Sequence, residues 1–161
     1  MAGRWRVRKN EQHTFLVMEI PRDSSMDKII RILILEDMVY DADLIEFELQ
    51  EAEIAFTSVR TEQEKDYVRA LQDFSPDIIL SDYDLPHYTG ALALIAAKRM
   101  RPEVPFILVT GAIASDDGLC SSILAQGARK CISKDHLERL APAVRDALRI
   151  KSSNGDITGM N

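Results

Sequence analysis
Between residues 29 and 150, short strand-like runs, some weak and some wholly apolar, alternate five times with amphipathic stretches, and no other feature constrains the fold so tightly. The runs fall at 29–35, 56–59, 78–80, 106–109 and 130–133. The stretches 41–52, 62–74, 91–100, 116–126 and 137–150 carry apolar residues at helical spacing, as Leu44, Ile45 and Leu49 do in the first. Ile78, Ile79 and Leu80 show no polar alternation, which is how a strand covered on both faces reads. Pro102 and Pro105 end the third helical stretch ahead of Phe106, and Gly127 stands where a cap for the fourth belongs.

A strand–helix repeat of this kind closes as a parallel sheet with right-handed crossovers. For 161 residues the expectation is an α/β fold: a doubly wound, five-stranded parallel sheet of flavodoxin-like order 2-1-3-4-5, with helices on both faces. In such a sheet ligands bind at the carboxyl ends of the strands, in the crevice between the first and third. Those two strands end in Glu36-Asp37 and in Asp82, with Asp84 close behind. Carboxylates crowded in this way repel one another unless a cation is present, and a hard, oxygen-liganded ion such as Mg²⁺ is the natural answer. The fourth strand ends in the hydroxyl of Thr110 and the fifth in the ammonium of Lys134. A metal, a hydroxyl and a cation around one carboxylate suit a phosphoryl group, with Asp82 as the nucleophile. Taken singly, Thr110 reads as a turn residue, Lys134 as a solvated lysine and Glu36-Asp37 as charges favouring a helix start. Taken together, each at the end of its own strand, they read as a site.

Composition narrows the function. A chain with 46% hydrophobic and 29% charged residues has the balance of one globular domain with tails. The net charge of −6 argues against a nucleic-acid surface. No apolar run reaches membrane-spanning length, so no membrane partner is expected. Cys120 and Cys131 have neither a metal-ligand spacing nor the look of a disulfide framework, so a reducing, cytoplasmic setting is expected. Residues 1–26 break the pattern: 4–8 and 14–20 read as two short strands, which suggests a hairpin. That extension has three readings: an interaction arm, the remnant of an upstream domain, or artificially added sequence. The domain itself is expected at 27–150, followed by a flexible polar tail at 151–161.

Glu36-Asp37, the run Ser81-Asp82-Tyr83-Asp84-Leu85-Pro86 with Gly90, Val109-Thr110-Gly111 and Ser133-Lys134 together resemble the receiver domain of two-component response regulators. The resemblance implies a signalling phosphoacceptor rather than an enzyme with a separate substrate. Asp82 would take a phosphoryl group from a histidine kinase or a phosphotransfer protein. Asp37, Asp82 and the backbone carbonyl of Asp84 would hold Mg²⁺, with Glu36 acting through a water. Thr110 and Lys134 would contact the phosphoryl oxygens and draw their loops inward. A downstream protein target is implied, as is a homodimer through the face of the fourth helix, fifth strand and fifth helix. Leu119, Cys120 and Ile123 are the candidate apolar contacts there, with core packing the expected use of at least two of them.

This chain departs from the family pattern at several positions. Cys131 stands where receivers commonly carry an aromatic switch residue, and Asp135 replaces the proline that usually follows the lysine. Asp135 is then expected to cap the last helix, with Glu138 completing a capping box. Asp84 and Ala112 occupy variable positions beside the phosphoryl group and are expected to modulate its lifetime. Two alternatives stand beside this reading. A haloacid dehalogenase-like Mg²⁺-dependent phosphatase would use the Asp82-Tyr83-Asp84 pair, although its acidic metal ligands should follow the lysine rather than precede it. A non-phosphorylated pseudo-receiver would serve only as a binding module.

Overall fold
The computed structural model describes residues 4–9, 14–19, 28–111 and 117–157. The chain begins with an antiparallel hairpin of β1 (Arg4–Lys9) and β2 (Thr14–Glu19), in which Arg4 faces Glu19 and Lys9 faces Thr14. There follow β3 (Ile30–Leu35), α1 (Val39–Glu51), β4 (Phe56–Thr61), α2 (Glu64–Asp73) and β5 (Ile78–Ser81). Two very short strands, β6 (Asp84–Leu85) and β7 (Tyr88–Thr89), pair antiparallel with each other before α3 (Gly90–Met100). The chain continues through β8 (Phe106–Thr110), α4 (Asp117–Ala125), β9 (Lys130–Ser133), a 3-10 segment at Lys134–Arg139 and α5 (Leu140–Ile157).

The main sheet runs β4-β3-β5-β8-β9, and every neighbouring pair is parallel. Counting its strands in chain order, this is the expected 2-1-3-4-5 arrangement. Alternate side chains of the central strands point to opposite faces, which divides the core in two. Ile32, Ile34, Ile78, Leu80, Ile107 and Val109 pack against Ala42, Ile45 and Leu49 of α1 and Leu140, Val144 and Ala147 of α5. Leu33, Leu35, Ile79, Phe106 and Leu108 pack against α2, α3 and Ile123 of α4. Each such side chain contributes about 1.5–3 kcal/mol through burial. Truncating one of them, Ile79→Ala for instance, costs roughly 2–5 kcal/mol.

Local chemistry ends the elements where they end. Gly127, at φ 109°, lets the Gly127 amide reach the Leu124 carbonyl and the Ala128 amide reach that of Ile123. This paired closure is a Schellman motif and terminates α4. Thr89 caps α3 by accepting a bond from the Leu92 amide at 3.3 Å. Tyr67, fully buried in α2, donates to the Ala93 carbonyl at 2.8 Å and so ties α2 to α3. Burial drives its phenol pKa well above the ordinary value.

Several expectations are corrected. The last helix starts at Leu140 after the 3-10 segment and runs through Ile157, so residues 151–157 continue α5 instead of forming a loose tail. Extending an established helix over polar residues costs little compared with nucleating one. The cap of the 3-10 segment is Ser133, whose hydroxyl accepts from the Asp135 amide at 3.2 Å. Asp135 is therefore not the cap, and Glu138 instead meets His136 Nδ1 at 3.2 Å. Cys120 and Cys131 are joined in a disulfide, against the expectation of two unpaired thiols. Packing of α4 against β9 brings their Cα atoms to 5.7 Å, which no sequence spacing announces. Ile123 is core at 1% exposure and Leu119 packs against the same cluster, the core use expected of two of the three candidate contacts, while Leu124 is the large apolar residue that α4 exposes.

Candidate functional site
The site follows from the register of the sheet. Leu35 pairs with Ser81, and the Asp82 amide donates to the Leu35 carbonyl at 2.9 Å. Glu36, Asp37 and Asp82 thereby leave β3 and β5 at one level of the carboxyl edge. Each offers an oxygen within 4.8 Å of the other two. On the far side of β5, Leu108 lies level with Ser81, and Thr110 ends β8 opposite Ser133 of β9. Lys134 is the next residue, so the β9 register carries its side chain back over the same edge.

The Lys134 ammonium lies 3.0 Å from Asp82 Oδ2, 2.7 Å from Asp41 Oδ2 and 2.7 Å from Glu36 Oε2. The other oxygen of Asp82, Oδ1, accepts the Tyr83 amide at 2.7 Å. Glu36 Oε1 accepts the Met38 amide at 3.0 Å, and Arg60 of β4 donates to the Glu36 carbonyl at 2.8 Å. The contact of Lys134 with Glu36 Oε2 is an ion-pair approach without hydrogen-bond alignment, so that buried oxygen has no directed donor. Burial raises the Glu36 carboxyl to about 6, with the Asp82 charge adding to the rise while Lys134 and the Met38 amide oppose it. Burial alone lowers the pKa of Lys134, but its contacts with the carboxylates of Asp41, Glu36 and Asp82 outweigh this and the net shift is upward. One ammonium therefore meets three carboxylates, and that of Asp37 lies beside two of them.

That imbalance fits a hard divalent cation. Glu36, Asp37 and Asp82 supply oxygen donors only, and Glu36 Oε2 is a buried acceptor still lacking a directed partner. Gly90 holds the floor of the site. A Cβ there would meet the Asp82 carbonyl at 2.7 Å, and the Gly90 amide donates to the Tyr83 carbonyl at 2.8 Å. A glycine is required at this position because two backbones approach closely there.

Of the residues singled out from the sequence, Glu36, Asp37, Asp82 and Lys134 meet directly. Thr110 is buried at the end of the neighbouring strand, at 1% exposure. Asp84 is exposed in β6, opposite Thr89, and its side chain is not in the carboxylate group. Ala112 lies outside the described residues. Cys131 lies on β9, bonded to Cys120. The residue that sequence reasoning missed is Asp41, on the first turn of α1. A signal for it existed: it is the acid in the first turn of the helix that directly follows Glu36-Asp37, so it starts close to the same edge.

The profile of the response regulator receiver domain matches residues 32–145. A search of the curated proteins finds no match. Among solved structures, the chain is similar to the signal receiver domain of an HD domain-containing protein from Pseudomonas fluorescens Pf-5. The identity is 21% with TM-score 0.69, covering 78% of this chain and 99% of that one. It is similar to the response regulator domain of Thermotoga maritima CheB at 19% identity and TM-score 0.63, covering 77% and 96%. It is also similar to NtrX from Brucella abortus at 21% identity and TM-score 0.71, covering 83% of this chain and 30% of that one. At these identities the structural likeness speaks for the fold. The profile match runs from β3 into α5 and takes in the whole carboxyl edge, and by it the chain belongs to the family of response regulator receiver domains.

Proposed function
We propose that this receiver domain is a phosphoacceptor, with Asp82 as the residue that carries the phosphoryl group. The observation that supports this most is the single ammonium of Lys134 held 3.0 Å from Asp82 among an excess of carboxylates. An Asp82 carboxylate oxygen attacks the phosphorus of a phosphohistidine on a histidine kinase or phosphotransfer protein. The P–O bond forms as the P–N bond breaks, and the electron pair leaves on the imidazole nitrogen, which then takes up a proton. Lys134 and the Thr110 hydroxyl hold the phosphoryl oxygens. Water attack on the acyl phosphate later returns Asp82 and inorganic phosphate.

Asp37, Asp82 and the Asp84 carbonyl would hold Mg²⁺, with Glu36 acting through a water. When bound, the ion neutralises charge on the carboxylates and on the transferring group. The chain's own chemistry is confined to its phosphorylation and dephosphorylation; its output goes through protein contacts, to a downstream target or a second copy across the α4-β9-α5 face. We assign the receiver unit to 27–150, residues 1–26 to an N-terminal extension and 151–161 to a C-terminal tail whose first part, 151–157, continues α5, in a cytoplasmic setting. No described helix is long and apolar enough to cross a membrane.

Treatment with acetyl phosphate and Mg²⁺, read by intact mass, tests the proposal. Wild type should gain one phosphate and Asp82→Asn none. A wild-type chain that binds no Mg²⁺ and gains no mass would make this a pseudo-receiver.

A further inference from the structure
The two cysteines of this chain are bonded to each other, and both are only half-buried. Cys120 lies on α4, the helix that follows Thr110. Cys131 lies on β9, the strand that leads into Lys134. The bond therefore ties α4, the helix after the strand that ends in Thr110, to β9, the strand that leads into Lys134. It is not needed to position β9. That strand already pairs with β8 from Ile107↔Lys130 to Thr110↔Ser133, and the Arg129 amide donates to the Phe106 carbonyl at 2.7 Å. What the bond adds is a further restraint on α4, which Leu119 and Ile123 in the core and the turn at Gly127 also hold.

We propose that Cys120–Cys131 is a thiol–disulfide exchange site, and that its closure restrains the Thr110–Lys134 side of the pocket. The reaction partner is a low-molecular-weight disulfide or dithiol. In the closing direction one cysteine thiolate attacks a glutathione disulfide, forming a mixed disulfide and releasing one glutathione thiol. The second cysteine thiolate then displaces the other glutathione. Two cysteine thiols are oxidised, one glutathione disulfide is reduced to two thiols, and a dithiol reductant runs the sequence backward. Both residues are partly exposed, unlike the cysteines of a core disulfide, so a small thiol or disulfide can approach this edge of α4 and β9. Core packing of Leu119 and Ile123 keeps the two thiols neighbours after reduction, so the bond can re-form within the chain. In reducing compartments such bonds serve as transient, redox-sensing links.

The consequence for signalling rests on the proposed phosphoacceptor reading. A phosphoryl group on Asp82 draws Thr110 and Lys134 toward it, and α4 must follow Thr110 while β9 holds Lys134. The staple opposes that movement, so the oxidised chain takes up phosphoryl groups more slowly, by roughly fivefold or more if the coupling has an ordinary allosteric size.

The full chain, reduced with dithiothreitol or oxidised with glutathione disulfide, is compared in three measurements. Iodoacetamide labelling read by intact mass should modify both cysteines of the reduced chain and neither in the oxidised one. Amide hydrogen exchange should show α4 and β9 better protected in the oxidised chain. Phosphoryl uptake from acetyl phosphate should be slower when oxidised and recover on reduction, while Cys120→Ser and Cys131→Ser run at the reduced rate under both conditions. Continued labelling of both cysteines after oxidation overturns the proposal, as does unchanged exchange across α4 and β9. Equal uptake by the two redox forms overturns the link to the pocket. If neither form is phosphorylated, the phosphoacceptor reading fails, and labelling and exchange still decide the staple.

Discussion

Strand β5 has an aspartate at each end, and the two are buried to the same extent: Asp77 is 9% exposed and Asp82 8%. Asp77, at the amino edge, spends its oxygens on donors that suffice for it. Oδ2 accepts the Arg31 amide at 3.0 Å and Oδ1 the Lys28 ammonium at 3.0 Å, while its own amide donates to the Arg31 carbonyl. That carboxylate stitches β5 to β3. Asp82, at the carboxyl edge, also has a backbone amide and a lysine, but it shares that lysine with Glu36 and Asp41 and sits against Asp37. Burial and hydrogen bonding are therefore common to a structural aspartate and a functional one. Uncompensated charge distinguishes them.

The contrast breaks most decisively by substitution at each end. Asp82→Asn should abolish phosphoryl uptake by intact mass while leaving the fold at least as stable, since it removes one of the repelling carboxylates. Asp77→Asn should leave uptake intact and lower stability in urea by about 1–3 kcal/mol, because a buried acceptor pattern is lost. If Asp77→Asn destroyed uptake in folded protein, the two ends would not be different in kind.

The pH dependence of the metal-free chain sharpens the same contrast. Glu36 titrates near 6 in the folded chain, above the ordinary 4.5. A raised carboxyl pKa means that the folded state binds the proton more tightly. The associated stability is complete below pH 4.5 and is lost as pH rises through about 6. The loss should be at most about 2 kcal/mol. Thermal melts between these limits should show it, Glu36→Gln should flatten it, and saturating Mg²⁺ should offset it.

Smaller effects are expected at the rim. Asp41 is partly exposed and competes for Lys134, so Asp41→Asn should free the ammonium for the phosphoryl group. Uptake at saturating Mg²⁺ should rise about threefold, the size expected of a partly solvated ion pair. An unchanged or lower rate would mean that Asp41 positions Lys134 rather than competing for it. Asp84→Asn should change the decay of the phosphorylated chain about twofold or more, as a carboxylate near attacking water affects general-base and electrostatic terms. An unaltered decay rate would remove Asp84 from the mechanism.

Much of this was legible in the residues. The runs containing Ile79 and Ile107, and the part of the first run after Arg31, are apolar throughout because both faces of a central parallel strand are covered, and that signature does not depend on knowing the partner strands. Carboxylates, Thr110 and Lys134 directly after those runs could be assigned to one edge once the strand order was inferred. What escaped were contacts whose partners are chosen by packing. Asp41 meets Lys134 across 93 positions, because α1 and the segment after β9 converge on the same edge. Tyr67 reads as an ordinary helix residue until its hydroxyl finds the Ala93 carbonyl. The two-residue strands β6 and β7 are too short to carry a pattern.

By itself the sequence determined the element order, the parallel sheet and the residues that end its strands, since each follows from local periodicity and from the few topologies such a repeat permits. Only the tertiary structure decided which carboxylates share Lys134 and that Cys120 reaches Cys131. Those are matters of ångströms between elements far apart in the chain, and they are settled by how helices seat on the sheet rather than by any spacing along it.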